Sequence, residues 1–69
     1  MPSTVIRRFE YDPEQRALRV EFVTGRVYLY LDVPRREVEA FRGAFAKGRH
    51  FNAKIRNNYA FRDVTAATD

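Results

Sequence analysis

The sixteen residues KGRHFNAKIRNNYAFR, at 47–62, hold the densest chemistry in this chain. Lys47, Arg49, Lys54, Arg56 and Arg62 are cationic, His50 sits among them, and no acid follows until Asp63. The run carries more positive charge than the net +4 of the whole sequence. Lys47, His50 and Lys54 are spaced i, i+3 and i+7, so one helical face can present all three. Asn52, Asn57 and Asn58 add amide donors and acceptors. Cationic and amide groups interleaved with aromatic rings suit phosphate contacts and base stacking. A solvated helix face whose charges meet only water has the same composition.

Catalysis has little to work with. His50 is the only histidine, Ser3 the only serine, and cysteine is absent. A nucleophile activated by a base that a third group orients has nearly nothing to work with in that inventory. A zinc site needs three or four ligands, which one histidine and scattered carboxylates do not supply. No GxGxxG or GxxxxGK[ST] loop occurs. The expectation is therefore a non-enzymatic chain with no metal and no cofactor.

Sixty-nine residues make one domain, 1–69, with 65–69 read as a loose tail. Six Phe and four Tyr argue for a packed core. The pI of about 10.0 is compatible with an anionic partner. Eleven of the 13 basic residues are arginine, a skew that a GC-rich genome also produces. The N-terminus lacks a signal-peptide pattern and no segment is long and apolar enough to span a membrane. A soluble, cytoplasmic protein with no membrane partner is expected.

Three strand-like segments must position these residues. TVIRRFEY (4–11) is rich in β-branched and aromatic residues, and DPEQR (12–16) reads as a turn in which Asp12 bonds back to the backbone. ALRVEFV (17–23) alternates, with Leu18, Val20 and Phe22 on one face. RVYLYLDV (26–33) is apolar on both faces. The period then changes. Pro34 opens a helix with Asp32 near its N-cap, and Val38, Phe41 and Phe45 form its apolar stripe. Gly48 is a plausible stop. A second helix spans FNAKIRNN (51–58), and AFRDV is a candidate extended segment. The reading is α+β: a three-stranded antiparallel β-meander followed by two short helices packed on the sheet, β-β-β-α-α.

The third strand admits two registers. With a two-residue loop, Thr24-Gly25, Phe22 faces Val27 and Val20 faces Leu29. Tyr28 and Tyr30 then lie on the outer face beside arginines, as a stacking platform for single-stranded RNA. With a three-residue loop, Thr24-Gly25-Arg26, Phe22 faces Tyr28 and Val20 faces Tyr30. The tyrosines become core, and Val27 and Leu29 turn outward as an apolar patch for a protein partner or a second copy.

SxxI at 3–6, LxVxFxxGxxYxYxxVP across 18–34 and KGxxFNxxIRxxY across 47–59 together resemble the KTSC domain. That module occurs at the C-terminus of some lysyl-tRNA synthetases and as free-standing bacterial proteins, and this chain resembles the free-standing kind. The resemblance covers residues 3 to about 62 and centres on Tyr28-Leu29-Tyr30. It implies a role in binding RNA, single-stranded or tRNA. A family preference for a polar residue between the tyrosines favours the inward register. Ala46 stands where the family usually has serine, which removes a hydroxyl, and His50 where tyrosine is common, which keeps a flat ring. The candidate nucleic-acid contacts are Tyr28, Tyr30, Lys47, Arg49, His50, Asn52, Lys54 and Arg56. The alternative is a protein-interaction or self-association module.

Overall fold

The computed structural model describes residues 6–65. Four antiparallel strands lie in the order β1-β2-β3-β4, with helical segments between the third and the fourth. β1 is Ile6–Asp12, β2 Ala17–Phe22, β3 Val27–Tyr30 and β4 Phe61–Asp63. Alternation in β2 sends Leu18, Val20 and Phe22 into the core, while Arg19 and Glu21 take the outer face. β1 reaches the same face by a bulge: pairing slips between Ile6 and Arg8, so Ile6 meets Phe22 and Phe9 meets Val20. Without the bulge at Arg7, a regular strand would send Ile6 and Phe9, three residues apart, to opposite sides. Arg7 and Arg8 accordingly both reach Glu21, at 3.8 and 2.9 Å. The turn after β1 is held as expected, with Asp12 Oδ1 accepting from the amides of Glu14 at 3.1 Å and Gln15 at 3.4 Å.

The β2–β3 loop differs from both loops read from the sequence. It is Val23-Thr24-Gly25, closed by Phe22 N donating to Arg26 O at 2.9 Å and Gly25 N to Phe22 O at 2.9 Å. Gly25 has φ +98°, a conformation that suits glycine. Val20 pairs with Tyr28 and Leu18 with Tyr30. The pairing is two residues away from the three-residue-loop register, and a shift of two preserves the face. Tyr28 and Tyr30 therefore point inward. Val27 and Leu29 share the outer face with Arg19 and Arg62, but Val27 is buried and Leu29 half-buried.

Among the described residues the sheet has four strands, not three. β4 pairs along β3, with Tyr30 opposite Phe61 and Tyr28 opposite Asp63. Leu31 N donates to Ala60 O and Val64 N to Val27 O, each at 2.9 Å, which extends the pairing at both ends. Arg26 Nη1 meets Asp63 Oδ2 at 2.8 Å. Thr65 is tied in rather than loose: its Oγ1 accepts from Val27 N at 2.8 Å. The rest of the expected tail, 66–69, lies outside the described residues, as do Ser3 and Thr4.

Helix α1 spans Arg35–Gly43, and Pro34 is its N-cap residue. Asp32 does not cap it; Asp32 adopts a left-handed backbone, φ +59°. The helix ends five residues before Gly48. Ala44 is extended, its N–H donating to Phe41 O at 3.1 Å. Phe45 thus leaves the Val38–Phe41 stripe and is fully exposed. Helix α2, Lys47–His50, contains Gly48 and runs directly into a π-helical turn, Phe51–Ile55, closed by Arg56 N donating to Phe51 O at 2.8 Å. The second helical segment is therefore 47–55 rather than 51–58.

Both helical segments lie on the tyrosine face of the sheet. Val38, Phe41, Phe51 and Ile55 join Leu18, Val20, Phe22, Tyr30 and Val33 in one core cluster. Each fully buried large side chain contributes about 1.5–3 kcal/mol. Tyr30 sits 5.4 Å, ring centre to ring centre, from Phe51 and 5.2 Å from Phe61. No helix of the described residues is long and apolar enough to cross a membrane.

Candidate functional site

The 47–56 segment presents its cations unequally. The break after α1 turns Lys47 back, so that Nζ donates to Ala44 O at 3.1 Å and the side chain serves the loop. Arg49, Lys54 and Arg56 are exposed and make no ion pair among the described residues. Asn52 is half-buried, and its Oδ1 accepts from Arg56 Nη1 at 3.5 Å. Asn58 Nδ2 donates to Lys54 O at 2.6 Å, closing the segment's C-terminal end. Of the four lysines and arginines among the candidate contacts, Arg49, Lys54 and Arg56 remain available for an anion and Lys47 is structural.

His50 is half-buried and faces α1. Its Nε2 lies 3.1 Å from Glu37 Oε2, and its ring stacks on Phe41 at 5.7 Å and 25°. The other carboxylate oxygen of Glu37 accepts from Tyr59 Oη at 3.4 Å. Burial first, then the charge of Glu37 and its hydrogen bond, raise the Tyr59 phenol above its usual range; Arg36 and Arg16 pull it back. A carboxylate between an imidazole and a phenol can hold and pass a proton. Among the described residues no serine, threonine, cysteine or lysine side chain hydrogen-bonds to this trio, and no group of three or more metal-ligating side chains is present. The cluster also locks α1, α2 and the 56–60 loop together.

Tyr28 and Tyr30 are brought together with Phe61 rather than with solvent. Tyr30 is 1% exposed and Tyr28 half-buried. Their rings lie edge to face at 6.4 Å, and Tyr28 is 4.9 Å from Phe61. Burial, then Tyr28, push the Tyr30 phenol up to about 12, while Arg56 acts in the opposite sense. Arg56 is thus close enough to this aromatic cluster to act on it. Phe61 itself is 48% exposed, a half-open ring over the tyrosine pair. The sequence reading left out Phe61, Glu37 and Tyr59 as site residues. Phe61 directly follows the 56–60 loop in a segment read only as extended, and Glu37 joins Tyr59 only through the fold.

Comparison with known proteins finds relatives of this chain. The family model of the KTSC domain matches residues 2–59. An uncharacterized protein of Stutzerimonas stutzeri is 46% identical over 52 residues, covering 75% of this chain and 73% of its own length. A lysine–tRNA ligase of Nostoc punctiforme is 36% identical over 63 residues, covering 91% of this chain but only 11% of the ligase. The crystal structure of a KTSC domain protein from Yersinia pestis superposes with a TM-score of 0.83 at 35% identity, over 91% of this chain and 87% of that one.

Proposed function

This chain belongs to the KTSC domain family, and we propose from that premise that it is a non-catalytic RNA-binding module. Arg49, Lys54 and Arg56 contact phosphates, and Phe61, backed by Tyr28, offers a ring for a base. The observation that carries this reading is the exposure of three cations on one helical segment and its end, with no acidic residue from 47 to 62 to neutralise them. The likeness to a segment of a lysine–tRNA ligase supports it in the same direction, since that enzyme's name implies work on tRNA. Tyr28 and Tyr30 shape the aromatic floor, and stacking falls to Phe61. Fluorescence anisotropy of a labelled single-stranded RNA and of a tRNA, each at two salt concentrations, tests the reading. Salt-sensitive binding is the expected result; flat titrations for both would sink it.

A second reading is favoured by one observation. Phe45 is a phenylalanine with a fully exposed side chain, which suits docking to a protein or to a second copy. A concentration-dependent mass in sedimentation that disappears in Phe45→Ser would support self-association. The outer-face patch of Val27 and Leu29 offers less, because Val27 is buried beside Thr65.

A further inference from the structure

We propose that the cleft between the β1–β2 turn and the start of α1 is a binding site for a nucleotide-type ligand, a phosphate carried on a small flat or apolar body. The cleft measures about 390 Å³ and is lined by Tyr11, Pro13, Arg16, Pro34, Arg35 and Arg36. Three of these side chains are guanidinium groups and none is acidic. Arg16 comes from the turn, and Arg35 and Arg36 from the first turn of α1. The chain joins the two segments through Val33 N, which donates to Arg16 O at 2.8 Å.

None of the three arginines makes an ion pair among the described residues, whereas Arg7, Arg8, Arg26 and Arg42 all do. The neighbouring carboxylate of Asp12 is directed at its own turn, onto the amides of Glu14 and Gln15. Arg16 and Arg36 both act on the Tyr59 phenol, so their charges share one neighbourhood despite their separation in sequence; the Glu37 carboxylate also acts there but is directed at His50 and Tyr59. Like charges held together repel, and an anion between them relieves that cost. Guanidinium forks match phosphate oxygens two at a time.

The remaining walls fit the body that carries the phosphate. Tyr11, Pro13 and Pro34 are flat or apolar, and the Tyr11 ring is fixed because its hydroxyl donates to Val33 O at 2.6 Å. The volume falls in the range of small-molecule sites, roughly 300–1,000 Å³. No lining residue belongs to the 47–56 segment, so the site stands independently of the RNA surface proposed above. The same chemistry can come from a free nucleotide or from a nucleotide at the end of a strand.

The test uses adenosine 5′-monophosphate and inorganic pyrophosphate as probes, titrated into the ¹⁵N-labelled full chain at low salt. Saturable shifts at the amides of residues 11–16 and 33–36, with a dissociation constant below about 1 mM, are the expected result. The double variant Arg16→Gln, Arg36→Gln weakens binding by about tenfold or more. All three arginines are exposed and unpaired, so the fold survives these changes, which a thermal melt verifies; Arg35→Gln provides an independent variant. No saturable shift with either probe, or shifts unchanged in the variants, overturns the site. Binding of pyrophosphate without the monophosphate overturns the nucleotide class. Displacement of the monophosphate by a 5′-phosphorylated but not a 5′-hydroxyl oligonucleotide supports the site and assigns it to strand ends. Failure of both strands to displace it supports the site and assigns it to free nucleotides.

Discussion

His50 Nε2 lies 3.1 Å from Glu37 Oε2, between helical segments that share no backbone hydrogen bond. The carboxylate also accepts from Tyr59, so one side chain fastens three parts of the chain. Glu37→Ala removes both acceptors from a partly buried setting and is expected to cost about 1–2 kcal/mol. Urea unfolding measures it. Tyr59→Phe removes one hydrogen bond and should cost less.

The tyrosine pair and Phe61 separate packing from binding. Tyr30→Ala deletes a buried ring that touches Phe51 and Phe61, and a loss of about 3–5 kcal/mol is expected, enough to unfold a small domain. Phe61→Ser, at a half-exposed ring, should leave most of the stability in place while reducing RNA affinity. Equilibrium unfolding and anisotropy on the same two variants check both outcomes. A Phe61→Ser protein that binds RNA as the wild type does would remove stacking from the proposed role.

Stability falls on the alkaline side. The Tyr30 phenol has a folded pKa raised from 10.0 to about 12, so the folded chain holds this proton more tightly than the unfolded chain. Its contribution is complete below pH 10 and is lost as pH rises through about 12. Urea midpoints should therefore decline across that window, and Tyr30→Phe should flatten the part of the decline due to this ring. Asp63 behaves oppositely: hydrogen bonds from Thr65, then the Arg26 charge, hold its carboxyl below the usual range, so its contribution is present at neutral pH and fades as pH falls through that lowered value.

The salt dependence of RNA binding counts phosphate contacts. Changing Arg49, Lys54 and Arg56 together to glutamine removes three contacts, and the slope of log affinity against log salt should drop by about 2 for a single strand. Lys47→Gln should alter that slope little, because Lys47 already serves the Ala44 carbonyl. Anisotropy across a salt series measures both.

Much of the fold can be read directly from residue patterns. The alternation of ALRVEF, the Asp12 turn and the Val38–Phe41 spacing each specify a local structure that the fold retains. Register and helix ends are less local. The side facing of Tyr28 depends on where Phe22 hydrogen-bonds, and Thr24-Gly25 is compatible with several loops. Gly48 resembles a helix stop, yet the break comes at Ala44, where Phe41 and Phe51 must both enter the core from different directions. The cationic run was visible as composition; that Lys47 and His50 turn back onto the fold while Arg49, Lys54 and Arg56 stay exposed depends on loops that only the tertiary structure defines. Glu37 and Tyr59 are 22 residues apart, and no pattern in the chain links them.

The three-residue strand Phe61–Asp63 lies beyond the region matched by the family model, yet it occupies the whole flank of VYLY. It acts as a guard. Left bare, that flank would present unpaired amides and carbonyls on a segment rich in β-branched and aromatic residues, the pattern from which chains recruit copies of themselves. A chain stopped after Tyr59 should therefore polymerise or exchange strands between copies rather than persist as a smaller monomer, and light scattering would register the difference.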